Sequence, residues 1–164
     1  MSSKICMFTG HRRIDAQDIT ALPGAIDTLL EKLINGGYTD FRCGGAQGFD
    51  TIAALKVLEK KKLYPQIKLH LFLPCADQAD AWSAHAQAVY RTVIERADSV
   101  RYMVQSYTHG CMHARNRAMV DGSDLCVAYC TSSRGGTAYT VEYARKKNVD
   151  LILINENYLK ERSK

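Results

Sequence analysis

Short runs of aliphatic, aromatic and β-branched residues alternate along this chain with longer stretches whose apolar positions recur at helical spacing. The runs predict strands over residues 4–9, 38–43, 67–73, 99–104, 125–130 and 150–154. Some, such as Leu151-Ile152-Leu153-Ile154, are almost continuously apolar, the pattern of strands covered on both faces. The longer stretches predict five helices. The first carries Ile26, Leu29, Leu30, Leu33 and Ile34, has Pro23 near its start and stops at Gly36-Gly37. The second covers about 49–62, with Ala53, Ala54, Val57 and Leu58 inward. The third covers about 79–97, with Trp82, Ala86, Val89 and Val93 on one stripe. A shorter helix covers about 112–121, and the last covers about 137–147.

Strand–helix alternation of this kind predicts an α/β fold. The expected architecture is a single Rossmann-like three-layer domain over 1–164, a mostly parallel sheet with helices on both faces. No repeat, linker or low-complexity segment interrupts it. Open parallel sheets bind ligands outside the carboxyl ends of their strands. Four junctions therefore matter: Thr9-Gly10-His11-Arg12, the loop Gly44-Gly45-Ala46-Gln47-Gly48 before Asp50, Pro74-Cys75-Ala76-Asp77, and Arg134-Gly135-Gly136-Thr137. Three of them are glycine turns. A glycine turn that opens a helix brings unpaired N–H groups and the positive end of the helix dipole close to a guest. Phosphate or carboxylate suits such a cradle, and Arg12, Arg134 and Thr137 would add charge and a hydroxyl.

Composition narrows the class. Of 164 residues, 46% are hydrophobic and 24% charged, which excludes whole-chain disorder, collagen and coiled coil. No apolar run is long enough for a membrane span, and the N-terminus does not read as a signal peptide. Net charge is +5, with basic clusters at Lys60-Lys61-Lys62, at Lys146-Lys147 and in the tail from Lys160 to Lys164. These read as solvated helix ends, and the charge alone does not call for nucleic acid as a partner. Six cysteines show no CxxC pair, so free thiols in a reducing, cytoplasmic compartment are expected, with no metal centre and no required cofactor. Trp82 and Tyr90 read as core or dimer-surface positions rather than a base-stacking platform.

Standard nucleotide fingerprints do not fit. The chain lacks GxxxxGK[ST], and it has no GxGxxG after the first strand. What it has is Thr9-Gly10-His11-Arg12, Cys43-Gly44-Gly45-Ala46-Gln47-Gly48-Phe49-Asp50, Arg115-Asn116 and Arg134-Gly135-Gly136-Thr137-Ala138-Tyr139. In this order and spacing they resemble the YpsA-like branch of the SLOG superfamily, Rossmann-like proteins that include the LOG phosphoribohydrolases and DprA. The resemblance spans roughly residues 5–155. Such proteins are mostly bacterial or phage-borne. The resemblance implies a nucleotide-derived ligand, ADP-ribose-like or a nucleoside phosphate, and suggests a homodimer.

The LOG signature PGGxGTxxE falls on the stretch from Arg134 to Glu142. Its first two glycines and its Glu are present, while Arg134, Ala138 and Tyr139 replace the Pro, the third Gly and the Thr. N-glycoside cleavage needs a carboxylate to stabilise an oxocarbenium-like state, activate water or protonate the base. Glu142 and Asp50 are the candidates, although each also suits a plainer role, Asp50 as a first-turn helix acid and Glu142 in a surface pair with Lys146. Three readings follow. The first is binding or sensing of a nucleotide-derived ligand, and the second is its hydrolysis as a nucleotide N-glycosidase. The third is DprA-like single-strand DNA binding, which the modest charge and the lack of an aromatic–basic stripe disfavour.

Overall fold

The computed structural model describes residues 3–159. Six strands form one sheet: β1 (Lys4–Gly10), β2 (Tyr38–Cys43), β3 (Lys68–Cys75), β4 (Ser99–Val104), β5 (Leu125–Tyr129) and β6 (Asp150–Leu153). Every pairing is parallel, in the order β4-β3-β2-β1-β5-β6. The helices are α1 (Leu22–Asn35), α2 (Phe49–Leu63), α3 (Ala84–Arg96), α4 (Cys111–Val120) and α5 (Gly136–Lys146). A π-helical turn, Asn155–Leu159, follows β6. The basic tail from Lys160 to Lys164 lies outside the described residues.

The strand order explains the layering. From β1 to β4 the chain steps one way across the sheet, and right-handed crossovers put α1, α2 and α3 on one face. It then returns to β5 beside β1 and steps the other way, so α4 and α5 cover the opposite face. The larger core packs Phe8, Phe41, Leu69, Leu71 and Tyr129 against the buried faces of α1 and α2. The smaller core sets Met7, Phe72, Cys126 and Ala128 against α4 and α5. All five residues of β5 are buried, as its apolar run predicted. Among the described residues, no helix is long and apolar enough to cross a membrane.

One helix boundary differs from the expected one. α3 begins at Ala84, not near residue 79. The Ser83 hydroxyl accepts the Ala86 N–H at 3.1 Å and starts the helix there, a normal N-cap. Trp82 therefore belongs to the preceding turn, where it meets Tyr90 edge-on at 5.1 Å. The reversal of strand order between β1 and β5 is the topological switch point, where open α/β sheets form their crevice.

Candidate functional site

The loop from Gly44 to Gly48 carries the chain from β2 into α2 and folds back on the first helical turn. The Ala46 N–H points to the Asp50 carboxylate at 3.4 Å, and the Thr51 hydroxyl donates to the Ala46 carbonyl at 2.9 Å. Asp50 is buried, only 5% exposed. Burial pushes its pKa up to about 6, against the pull of Arg115, the Ala46 and Gly44 amides and Arg12. Arg115 comes from α4 and is also buried; burial lowers its pKa, and Asp50 opposes that shift. Its guanidinium donates to the Gly44 carbonyl and to the Asn116 side-chain oxygen, the latter at 2.7 Å. A Cβ on Gly44 would lie 2.6 Å from Arg115 and 2.8 Å from Asp50. Glycine there lets a buried acid and a buried base face each other.

The end of β1 ties these parts together. The His11 carbonyl accepts the Phe49 N–H at 3.1 Å, so this amide of the α2 terminus is already engaged. The His11 Nε2 accepts the Thr131 N–H at 2.9 Å, which leaves the proton on Nδ1. Burial lowers the His11 pKa, with Asp15 opposing, which favours the neutral ring that the Thr131 bond requires. Gly10 packs where a Cβ would meet the Phe49 ring at 2.4 Å. Gly48 has φ of 80°, and a Cβ there would meet the Arg12 carbonyl oxygen at 2.1 Å. Arg12 itself is exposed.

The start of α5 is open by comparison. Gly135, at φ 98°, precedes the helix, and no side chain caps it. Among the described residues, the Gly136, Thr137 and Ala138 amides have no acceptor. The Asn116 side-chain nitrogen lies 4.0 Å from where a Cβ of Gly136 would stand.

These elements enclose a cleft of about 310 Å³. Thr9, Gly10, His11, Arg12, Ala46, Asp50, Arg115, Asn116, Gly136 and Thr137 all line it. Gly44, Gly45, Gly48, Arg134 and Gly135 are not among its lining residues; the first three belong to the β2–α2 loop, and Arg134 and Gly135 are exposed in the segment that leads into α5. Met112 and His113 also line the cleft and were not anticipated. Their positions follow from α4 starting at Cys111, and His113 stacks on Tyr139 at 4.0 Å. Glu142 does not reach this cleft. It is exposed, pairs with Arg145 at 2.6 Å and lines a wider depression of about 590 Å³ beyond the β5–α5 loop. That depression is larger, but most of its lining is exposed and it holds one buried charged residue, Asp18, whereas the smaller cleft brings together two of opposite sign, Asp50 and Arg115. No three His, Cys, Asp or Glu residues among the described ones gather as metal ligands.

Comparison with known proteins agrees with this architecture. The chain is 31% identical over 118 residues to the SPbeta prophage-derived protein YoqJ of Bacillus subtilis, covering 65% of this chain and 69% of that one. It is 28% identical over 106 residues to a UPF0398 protein of Brevibacillus brevis, covering 63% of this chain but 56% of the relative. Among solved structures it is similar to DNA processing protein A of Helicobacter pylori, described for its single-stranded DNA binding mode. The TM-score is 0.67 at 19% identity, over 92% of this chain and 64% of that one. DprA of Streptococcus pneumoniae gives a TM-score of 0.63 at 18% identity, over 91% of this chain and 49% of that one. At such identities these two likenesses speak for the fold. The family model described as the YspA SLOG family matches residues 6–157, and the chain belongs to this YpsA family.

Proposed function

We propose that the protein binds a nucleotide-derived ligand, ADP-ribose-like or a nucleoside phosphate, in the cleft between the ends of β1 and α5. One observation carries this reading: open first-turn amides of α5 stand beside a buried, charge-balanced Asp50–Arg115 floor at the switch point of the sheet. The phosphate would take the Gly136 and Thr137 amides, with Arg12 and the Thr137 hydroxyl adding charge and a donor. The neutral His11 ring and the Asn116 amide would hold hydroxyl or phosphate oxygens. Asp50 would accept from a ribose hydroxyl.

Turnover is an extension of the same reading. An acid whose pKa lies near 6 is populated in both forms around neutrality, which suits general acid or base work. N-glycoside hydrolysis would therefore rest on Asp50 rather than Glu142. The fold likeness to a protein described as binding single-stranded DNA supports a second reading, in which a strand's terminal nucleotide enters this cleft. Exposed Arg12, Arg13 and Arg134 would then meet the backbone, so modest net charge is no reason to set nucleic acid aside.

The test is a thermal-shift screen with ADP-ribose, NAD, AMP, other nucleoside monophosphates, cyclic nucleotides and short single-stranded DNA, with products checked by chromatography. A ligand at 100 times its Kd stabilises by about 2.7 kcal/mol, a shift of several degrees for a domain of this size. A shift with intact ligand supports binding, and a released base supports hydrolysis. A shift with DNA alone, fading steeply with salt, supports the second reading. No shift with any of them overturns both.

A further inference from the structure

A second cleft of about 340 Å³ adjoins the first, and Arg12 and Met112 line both. Each cleft is at the small end of the range for small-molecule sites, about 300–1,000 Å³, and together they reach its middle. The second differs in character. Trp82 and Met112 give it apolar surface, and Tyr107 stands at its edge with 61% of its surface exposed. Its walls are tied before any ligand arrives: the Ala76 N–H donates to the Gln105 carbonyl at 2.9 Å, and the Tyr107 N–H donates to Asp77 Oδ1 at 3.1 Å.

Beside the donors of Arg12 and Trp82, its lining holds acceptors on Asp77 and Gln78. Asp77 is exposed, and its carboxylate accepts the Tyr107 N–H at 3.1 Å and faces the Cys75 thiol. The Gln78 nitrogen donates to the Tyr90 hydroxyl at 3.2 Å and weakly to the Gly45 carbonyl at 3.5 Å, while its buried Oε1 receives no donor. A buried acceptor without a donor is costly, and a guest that supplies a donor would offset a rotation of the amide away from Tyr90 and Gly45. A planar apolar group with an N–H₂ on its edge satisfies both features.

We infer that this adjoining cleft is the nucleobase subsite of the ligand, with Tyr107, Trp82 and Met112 as its stacking surface, and that Asp77 and Gln78 select bases bearing an exocyclic amine. The inference rests on the nucleotide reading above. In this pose Met112 sits at the boundary between base and ribose, and Arg12 reaches the phosphate side. A keto group in place of the amine would face the Asp77 carboxylate and leave Gln78 Oε1 unpaired, so rejection comes from mismatch as well as from a lost bond.

Isothermal titration of the full chain with AMP, IMP, CMP, UMP and ribose 5-phosphate tests it. AMP is expected to bind at least ~10-fold tighter than IMP, and CMP tighter than UMP by a similar factor. Tyr107→Ala changes an exposed rim residue and should weaken AMP about 10-fold while sparing ribose 5-phosphate. Asp77→Asn keeps an acceptor for the Tyr107 N–H and should narrow the AMP to IMP ratio. Equal affinity for AMP and IMP overturns the amine selection. AMP and ribose 5-phosphate binding that ignores Tyr107→Ala overturns the subsite while leaving the phosphate site standing. Failure of all five compounds to bind overturns the nucleotide reading and this inference with it.

Discussion

The carboxylate of Asp50 and the guanidinium of Arg115 face each other across the space that a side chain on Gly44 would fill. One belongs to the start of α2 and the other to α4, on opposite faces of the sheet. The missing side chain joins two layers of the fold at a single charged contact region.

Gly44→Ala should therefore disturb both residues together. The added methyl meets the far ends of Arg115 and Asp50, which can yield only by giving up their buried hydrogen bonds, so a loss of about 1–3 kcal/mol is expected, with a lower Tm by several degrees. Ligand affinity should fall with it. Calorimetry and titration on one preparation check both. An alanine variant as stable as the parent would show that the two charges have more room than the geometry gives them.

Asp50 sets a pH dependence whose sign is fixed. Its pKa in the folded chain is about 6, above the ordinary 3.8. The acid is accommodated best when protonated, so its contribution is full below about pH 4 and is lost as pH rises through 6. The unfolding free energy of the parent relative to Asp50→Asn should drop by roughly 1–3 kcal/mol between pH 4 and pH 7. Urea titrations at four pH values would reveal it, and a flat difference would mean that Asp50 is better solvated than its burial indicates.

Asp98 should behave in the opposite sense. Burial alone would raise its pKa, but hydrogen bonds from Lys61 and the Leu69 amide, the latter at 2.8 Å, outweigh burial and hold it below the usual carboxylate range. Its stabilisation is present above about pH 4 and lost as pH falls through the lowered value. Asp98→Asn should cost about 1 kcal/mol at pH 7, with the gap closing towards pH 2. Acid-induced unfolding of the two proteins, followed by circular dichroism, gives the comparison.

Gly48 and Gly135, two of the three site glycines with positive φ, should separate in severity. Gly135→Ala has open space around the new methyl and bears the backbone cost alone, of order 1–3 kcal/mol. Gly48→Ala bears that cost and also drives the methyl into the Arg12 carbonyl. It should be the less stable variant, and its damage should extend to Phe49 and His11. Side-by-side melting curves rank them.

Glu142→Gln should leave ligand binding at the cleft and any base release unchanged, and stability within about 0.5 kcal/mol, because the side chain is exposed and paired with a surface arginine. Asp50→Asn, tested beside it, should weaken binding. The reverse pattern would move the chemistry to the wider depression on the other side of the loop.

The strands were legible because strands buried on both faces have little use for polar residues, and β5 shows this most plainly. The α3 boundary was not, since Trp82 continues an apolar stripe into a turn that Ser83 brings to an end. Around the cleft, the residue types at the strand ends pointed to one edge of the sheet, and ten of the named candidates line one cleft there. What could not be read was the environment of each side chain. Asp50 looks like an ordinary first-turn acid until Gly44 folds the loop back and Arg115, on α4, covers it. The separation of Glu142 from the cleft depends on which way one turn of α5 faces, and a one-residue difference in pairing, Arg145 instead of Lys146, records it.

His11 makes the two glycine turns at this edge unequal. Its carbonyl already engages the Phe49 amide of α2, while the first amides of α5 stay free. Of the two glycine turns at this edge, the one before α2 thus has its first amide taken by the protein's own backbone, whereas the one before α5 keeps its first three amides open to an incoming anion. A molecule with one charged end and one flat end would have a single heading across the edge, phosphate towards α5 and the rest towards Met112. The fold would fix the direction of its cargo before any contact with the base is made.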